Sequence, residues 1–273
     1  MNPPSTAQSQ PRTTAAIDFE RLDRDGYVVL PGLVRADDLA EFERCIEVAG
    51  TRLAASRGVD VAGVEPLPAV IRAAGKHRPA LFDQIKRLWI IERLAGEVGR
   101  WLETAGLFAH SRIEVPVLWP TLKADLPGES EYAFPLHQDY ATTRSRTAWR
   151  LWIPLRDVNA ERGTMRVAVG SHRHGPYRYV GMDTTYPHVA ENELARHGFE
   201  LVALDVAAGT GVLFDPRIIH GSVPNNSAVT KWVMLLHLQD LAGFPDPSNP
   251  DDSMRQFLDL TEAKNAAERR KRP

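Results

Sequence analysis

Trp149-Arg150-Leu151-Trp152-Ile153-Pro154-Leu155 places apolar residues at every odd position, with Arg150 and Trp152 together between them. Side chains alternate between the two faces of a β-strand, so this segment predicts a strand whose Arg150 and Trp152 face a barrel interior. Runs of the same kind lie to either side: Ile113 to Trp119, Phe134 to Asp139, Met165 to Val169, Leu201 to Val206, Gly211 to Phe214 and Lys231 to Leu238. Short strands at short intervals predict a double-sheet barrel.

Upstream of Gly106 the texture is different. A short helix around Phe19 and Leu22 leads into Tyr27-Val28-Val29-Leu30, which Pro31-Gly32 stops. A helix follows, with Asp37 and Asp38 at its start and Leu39, Phe42 and Ile46 on one stripe. A Gly- and Pro-rich loop is expected from Gly58 to Pro68, then one long helix from Ala80 to Ala105. The chain thus divides into a polar tail (1–16), a mostly helical support (17–106), a barrel core (107–240) and a C-terminal extension (241–273).

Composition narrows the function. With 273 residues, 43% of them hydrophobic, the chain can bury one substantial core. A net charge of -2 gives no bulk attraction to nucleic acid or membrane. A single cysteine, Cys45, excludes an internal disulfide and a thiolate zinc cluster. No stretch approaches the ~18 apolar residues of a membrane span, and the opening residues lack the apolar centre of a secretory signal. The expectation is a cytoplasmic protein with a small-molecule substrate and no nucleic-acid or membrane partner. The closing Arg269-Arg270-Lys271-Arg272 is read as a solvated terminus.

His137-Gln138-Asp139 sets an imidazole and a carboxylate two residues apart, hence on one face of an extended segment. A third ligand from elsewhere would complete a facial array with open positions, the arrangement of non-heme Fe(II) sites. His220 follows the strand-and-turn Gly211 to Pro216 and precedes the tight loop Gly221 to Ser227, which makes it the best candidate. Two fixed positions are by themselves too few to name a metal, because they recur by chance.

The surrounding motifs carry more. The segments Asp25 to Gly32, Lys123 through Pro135-Leu136-His137-Gln138-Asp139, Trp152-Ile153-Pro154-Leu155, Glu161 to Met165, Gly170-Ser171-His172 and His220 to Asn225 closely resemble the phytanoyl-CoA dioxygenase family. The resemblance runs from Phe19 to about Asp240. It implies a mainly β fold with N-terminal helices, a double-stranded β-helix of the cupin-like jelly-roll type. It also implies Fe(II), 2-oxoglutarate and O2 as cofactor and co-substrates, with His137, Asp139 and His220 as metal ligands and catalytic residues. Gln138, Gly163 and Asn225 become supporting positions.

The same resemblance places a cation for the distal carboxylate of 2-oxoglutarate eleven residues after His220, where the family has arginine and this chain has Lys231. Lysine keeps the charge but loses the bidentate fork. Lys231 can act as a point charge, Lys123 or Arg150 can replace it, or the co-substrate can differ. Ser222, Lys123 and Trp152 match other positions lining that region. The reaction implied is hydroxylation of a C–H bond with release of succinate and CO2, and Asp139 argues against halogenation. Desaturation, epoxidation, cyclisation, a non-catalytic binding protein and a zinc hydrolase are the competing readings. An arginine cluster (Arg144, Arg146, Arg150, Arg162, Arg166, Arg173, Arg178), with His172 and His174, is read either as solvated at the surface or as receiving the carboxylate or phosphate of an anionic substrate.

Overall fold

The computed structural model describes residues 16–139, 143, 145, 147–174, 177, 179–180 and 188–243. Most of both terminal segments, Arg144, Arg146, Arg178 and part of the insertion after Gly181 lie outside the described residues.

Asp18 caps the first helix, α1 (Phe19–Asp25), by accepting the Arg21 N–H at 2.9 Å, and Gly26 ends it in the left-handed region. β1 (Tyr27–Leu30) follows at once. The helical layer continues with α2 (Ala36–Arg57), α3 (Pro66–Ala73), α4 (Arg78–Ile85), α5 (Trp89–Thr104) and α6 (Leu107–His110). The loop expected up to Pro68 is thus shorter than the sequence suggests. Pro66 starts a helix, where its missing N–H costs nothing, and Pro68 stays in the same first turn. The single helix expected from Ala80 is two, because Leu88 leaves the helical region (φ -56, ψ 131) before α5. Trp89, the first residue after the break, is 57% exposed.

The remaining strands are β2 (Pro116–Asp125), β3 (Ala148–Pro154), β4 (Met165–Ala168), β5 (Tyr179–Val180), β6 (His188–Val189), β7 (Leu201–Ala203), β8 (Gly211–Phe214), β9 (His220–Ser222) and β10 (Lys231–Asp240), with the helix α7 (Glu191–His197) before β7. All pair antiparallel. A five-stranded sheet runs β1-β8-β3-β10-β2 and a three-stranded sheet runs β7-β4-β9. The fold is a jelly roll with helices on its N-terminal side. β1, from the helical third, is an edge strand of the large sheet through its pairing with β8. Phe134 to Asp139 forms no regular strand: it makes one antiparallel bridge, His137 to His220.

The large sheet separates two cores. Leu122, Leu151, Ile153, Trp232, Met234 and Leu236 pack against helix residues such as Phe42, Ile71 and Leu94. Trp152, Val212, Phe214 and Val233 point the other way, against Met165 and Val167 of the small sheet. This is the alternation expected for Trp149 to Leu155, with Trp152 inside the barrel. Full burial of each large side chain stabilises the fold by about 1.5–3 kcal/mol.

One turn couples the helical layer to the barrel. The Gly209 N–H donates to the Pro154 carbonyl at 2.8 Å and its carbonyl accepts the Val34 N–H at 2.9 Å. Its φ is +76, and an added Cβ would lie 2.4 Å from the Val34 carbonyl oxygen. Gly209→Ala is therefore expected to destabilise the protein by about 2–3 kcal/mol, read as a lowered urea midpoint with an unchanged slope. An unchanged midpoint would contradict this coupling.

Candidate metal centre

His137 and His220 are far apart in sequence and are joined by their backbones. The His137 N–H donates to the His220 carbonyl at 2.7 Å, and the His220 N–H donates back at 2.9 Å. Their rings lie 4.3 Å apart between centroids. The crossing favours a glycine after His220, since a Cβ at Gly221 would sit 3.0 Å from the Leu136 nitrogen and the Phe134 carbonyl oxygen. Two residues beyond His137, the Asp139 N–H donates to the Pro216 carbonyl at 2.7 Å, which holds its carboxylate beside both rings.

Each imidazole has one nitrogen already committed. His137 Nδ1 lies 2.8 Å from the Pro135 carbonyl and His220 Nδ1 lies 3.1 Å from that of Ile218. A carbonyl only accepts, so both Nδ1 atoms carry the proton and both Nε2 atoms are left as lone-pair donors. Those Nε2 atoms lie 3.5 and 3.8 Å from the Asp139 oxygens. The three ligand atoms all fall within 4.8 Å of one another, the spread expected around one ion.

Protonation suits the same end. Burial, the largest influence, and then His137 lower His220 to about 4, so its ring is neutral near pH 7. Burial alone would raise Asp139. The neighbouring Arg150 guanidinium outweighs it and holds the carboxyl well below its ordinary range. Two imidazoles, each with Nδ1 turned to a carbonyl, and one carboxylate fit a divalent metal with open positions.

Arg150, with no exposed surface, is the partner that fixes the carboxylate. Its Nε donates to Asp139 Oδ2 at 3.1 Å, while Nη2 donates to Thr143 Oγ1 at 2.7 Å. As the sequence predicts, it faces the barrel interior, but it is engaged with Asp139 and so is poorly placed to hold a co-substrate. The supporting positions are occupied in the same way. Gln138 donates to the Arg217 carbonyl and accepts the Tyr177 N–H. Asn225 Nδ2 donates to the carbonyls of Asp125 and Val229.

Further along the same interior face lies a second polar cluster. Lys231 is 1% exposed. Its ammonium contacts an Asp125 oxygen and donates to the Gly163 carbonyl. Lys123 Nζ lies 3.5 Å from the other Asp125 oxygen and 3.9 Å from the centroid of the Phe134 ring. The two lysine–carboxylate contacts are ion pairs by distance, without hydrogen-bond alignment at the Asp125 oxygens. Lys123 keeps 30% of its side chain accessible, yet it is densely surrounded. Burial, the largest influence, lowers it to about 8 despite the attraction of Asp125. Ser222 Oγ accepts the Phe134 N–H at 2.9 Å, which leaves its own proton free to donate.

Sequence reasoning missed Asp125, His237 and Trp119. Asp125 is two residues from Lys123 on the same face and stands opposite Lys231 in register. His237 is paired in register with both Arg150 and Trp119. The period-two rule applied in both directions from Lys123 and forwards from Lys231 would have found all three. Of the arginine cluster, Arg162 and Arg173 donate to the carbonyls of Asp157 and Asp23, respectively.

The family model of phytanoyl-CoA dioxygenase (PhyH) matches residues 22–232, and the chain belongs to this family of non-heme iron enzymes, which use Fe(II), 2-oxoglutarate and O2. A curated relative, phytanoyl-CoA dioxygenase 1 of Oryza sativa subsp. japonica, is 29% identical over 142 residues, 51% of this chain. The match spans 50% of that relative, about half its length. Among solved structures, EvdO2 from Micromonospora carbonacea var. aurantiaca, complexed with 2-oxoglutarate, has a TM-score of 0.58 at 18% identity, covering 89% of this chain and 98% of its own. EctD from S. alaskensis, with 2-oxoglutarate and 5-hydroxyectoine, has a TM-score of 0.52 at 22% identity, covering 89% and 84%. These structures share the fold. No helix among the described residues is long and apolar enough to cross a membrane.

Replacing Arg150 by Gln should free Asp139 to rotate and weaken Fe(II) binding by roughly 10- to 100-fold, with Arg150→Lys recovering part of the loss in an anaerobic metal titration. Equal affinities in all three proteins would show that Arg150 does not position the ligand.

Proposed function

We propose that this chain hydroxylates an unactivated C–H bond of a small molecule, using Fe(II) held by His137, Asp139 and His220, with 2-oxoglutarate and O2 consumed and succinate and CO2 released. The observation that carries the reading is the convergence of two imidazoles with free Nε2 atoms on a carboxylate kept ionised. When bound, the metal supplies the redox chemistry that couples oxidative decarboxylation to oxidation of the substrate. The balance is one oxygen atom of O2 to succinate and the other to the product alcohol.

The protein's own contribution is placement. Arg150 keeps one Asp139 oxygen turned toward itself and leaves the other for the metal. Trp152, Phe214 and Val233 provide an apolar wall that limits water near the reacting atoms. The distal carboxylate of 2-oxoglutarate meets Lys123, with the Ser222 hydroxyl as a second donor. Lys231 stands behind as the partner of Asp125, so two ammoniums over one carboxylate leave one uncompensated positive charge for the incoming anion. This assignment rests on the burial of Lys231 and the accessible side chain of Lys123.

The experiment is Fe(II)-dependent succinate formation from 2-oxoglutarate, lost in His220→Ala, with the mass of the product read in parallel. A gain of one oxygen supports hydroxylation, and a loss of two hydrogens indicates desaturation or ring closure. Absence of iron-dependent succinate in the wild type would refute the proposal.

Lys123→Met should raise the KM for 2-oxoglutarate roughly 10- to 100-fold. Lys231→Met should instead cost about 1–3 kcal/mol of stability by removing the closer of the two Asp125 partners and the contact to the Gly163 carbonyl. Because the Lys123 pKa is lowered to about 8, its charge is present below that pH and lost above it. The KM should therefore climb between pH 7 and 9. A flat profile together with an unaffected Lys123→Met enzyme would assign the anchor elsewhere.

A further inference from the structure

The interior face of the large sheet does not stop at the metal centre. Trp119 stands opposite His237, which stands opposite Arg150, so these three residues cross the sheet in one row from β2 to β3. Trp119 and His237 touch through their rings, with centroids 5.6 Å apart and planes inclined by 37°. Arg150, the register neighbour of His237, donates to Asp139 at 3.1 Å, which ties this row to the candidate ligands. Burial first, and Arg150 second, lower His237 to about 4, so its ring is uncharged near neutrality.

Trp119 is nevertheless 62% exposed, although its neighbours on β2 in the opposite phase are packed against the helices. Val115 at 46% and Leu241 at 52% continue the exposed apolar surface, joined by the hydrogen bond from the Leu241 N–H to the Val115 carbonyl at 2.8 Å. Val115, Val117 and Trp119 lie in the same strand phase as Thr121 and Lys123. Exposed apolar surface next to a reaction centre marks a binding position. Of the arginines suggested for an anionic substrate, Arg150 serves Asp139, and Arg162 and Arg173 serve backbone carbonyls.

We infer that the Trp119–His237 pair, flanked by Val115 and Leu241, is the substrate platform, and that the substrate presents a ring whose flat face lies on the indole. An aromatic ring and the C–H face of a sugar ring share this chemistry. The inference rests on the oxygenase reading, since it takes the metal centre as the place where the seated molecule reacts.

The test uses the protein loaded anaerobically with Fe(II) and 2-oxoglutarate, both of whose binding is measured first. Indole, methyl β-glucopyranoside and hexanoate are then titrated as an aromatic ring, a sugar ring and an acyclic anion, with affinity read by ligand-observed NMR. At least one ring probe should bind more tightly than hexanoate, and Trp119→Ala should weaken it about two- to tenfold, with Trp119→Phe retaining most of the affinity. The ring probe that responds identifies the source. Hexanoate binding as well as either ring, neither ring binding, or Trp119→Ala without effect would each overturn the platform. Failure of the wild type to take up Fe(II) and 2-oxoglutarate would instead defeat the reading beneath it.

Discussion

Two backbone hydrogen bonds between His137 and His220 determine what this barrel can do. They bring together segments more than eighty residues apart, and they do so in antiparallel register, so that two side chains project to the same side. The chain then places Asp139 in the gap through one further bond to the Pro216 carbonyl. Each imidazole is locked by a carbonyl only two residues upstream, so ring orientation follows from local backbone geometry. A site assembled in this way is pre-formed, and the cost of ordering it is met when the fold forms rather than when a metal arrives.

The large sheet supports this site by keeping two environments apart. Its outer face is sealed by helices α2, α3 and α5 through Phe42, Ile71 and Leu94. Its inner face carries the charged residues Lys123, Asp125, Arg150 and Lys231, which are costly to bury unless paired. Pairing is what the register supplies, since Asp125 faces Lys231 across β2 and β10. Arg150 finds Asp139 in a segment that is not part of the sheet. The interior thus falls into three zones: a lysine cluster, the metal centre, and an apolar rim at Trp119 and His237.

Much of this was legible in the sequence. Alternation in Trp149 to Leu155 gave the correct inner and outer faces, and Gly211 to Phe214 had the right ends. His137, Asp139 and His220 were found as a set, and the structure brings them within 4.8 Å. What could not be read were properties of pairing between distant strands. Lys231 was read as the co-substrate cation without Asp125 in view, because Asp125, 106 positions earlier, becomes its neighbour only once β2 and β10 align. Arg150 stood as one replacement for Lys231, because the sequence does not show that the segment holding Asp139 folds back onto the Arg150 side chain. The break at Leu88 escaped notice because neither Pro nor Gly marks it. Pro66 misled in the opposite sense, since the residue that ends one element can also begin another.

The central claim is that three named side chains bind one divalent cation and leave adjacent positions for the co-substrate. Anaerobic crystals soaked with Fe(II) and 2-oxoglutarate test it directly. The account predicts a single iron about 2.0–2.2 Å from His137 Nε2, His220 Nε2 and one Asp139 oxygen, with the co-substrate chelated beside it and its far carboxylate toward Lys123. Iron bound elsewhere, or these three groups in place with no metal among them, would contradict it.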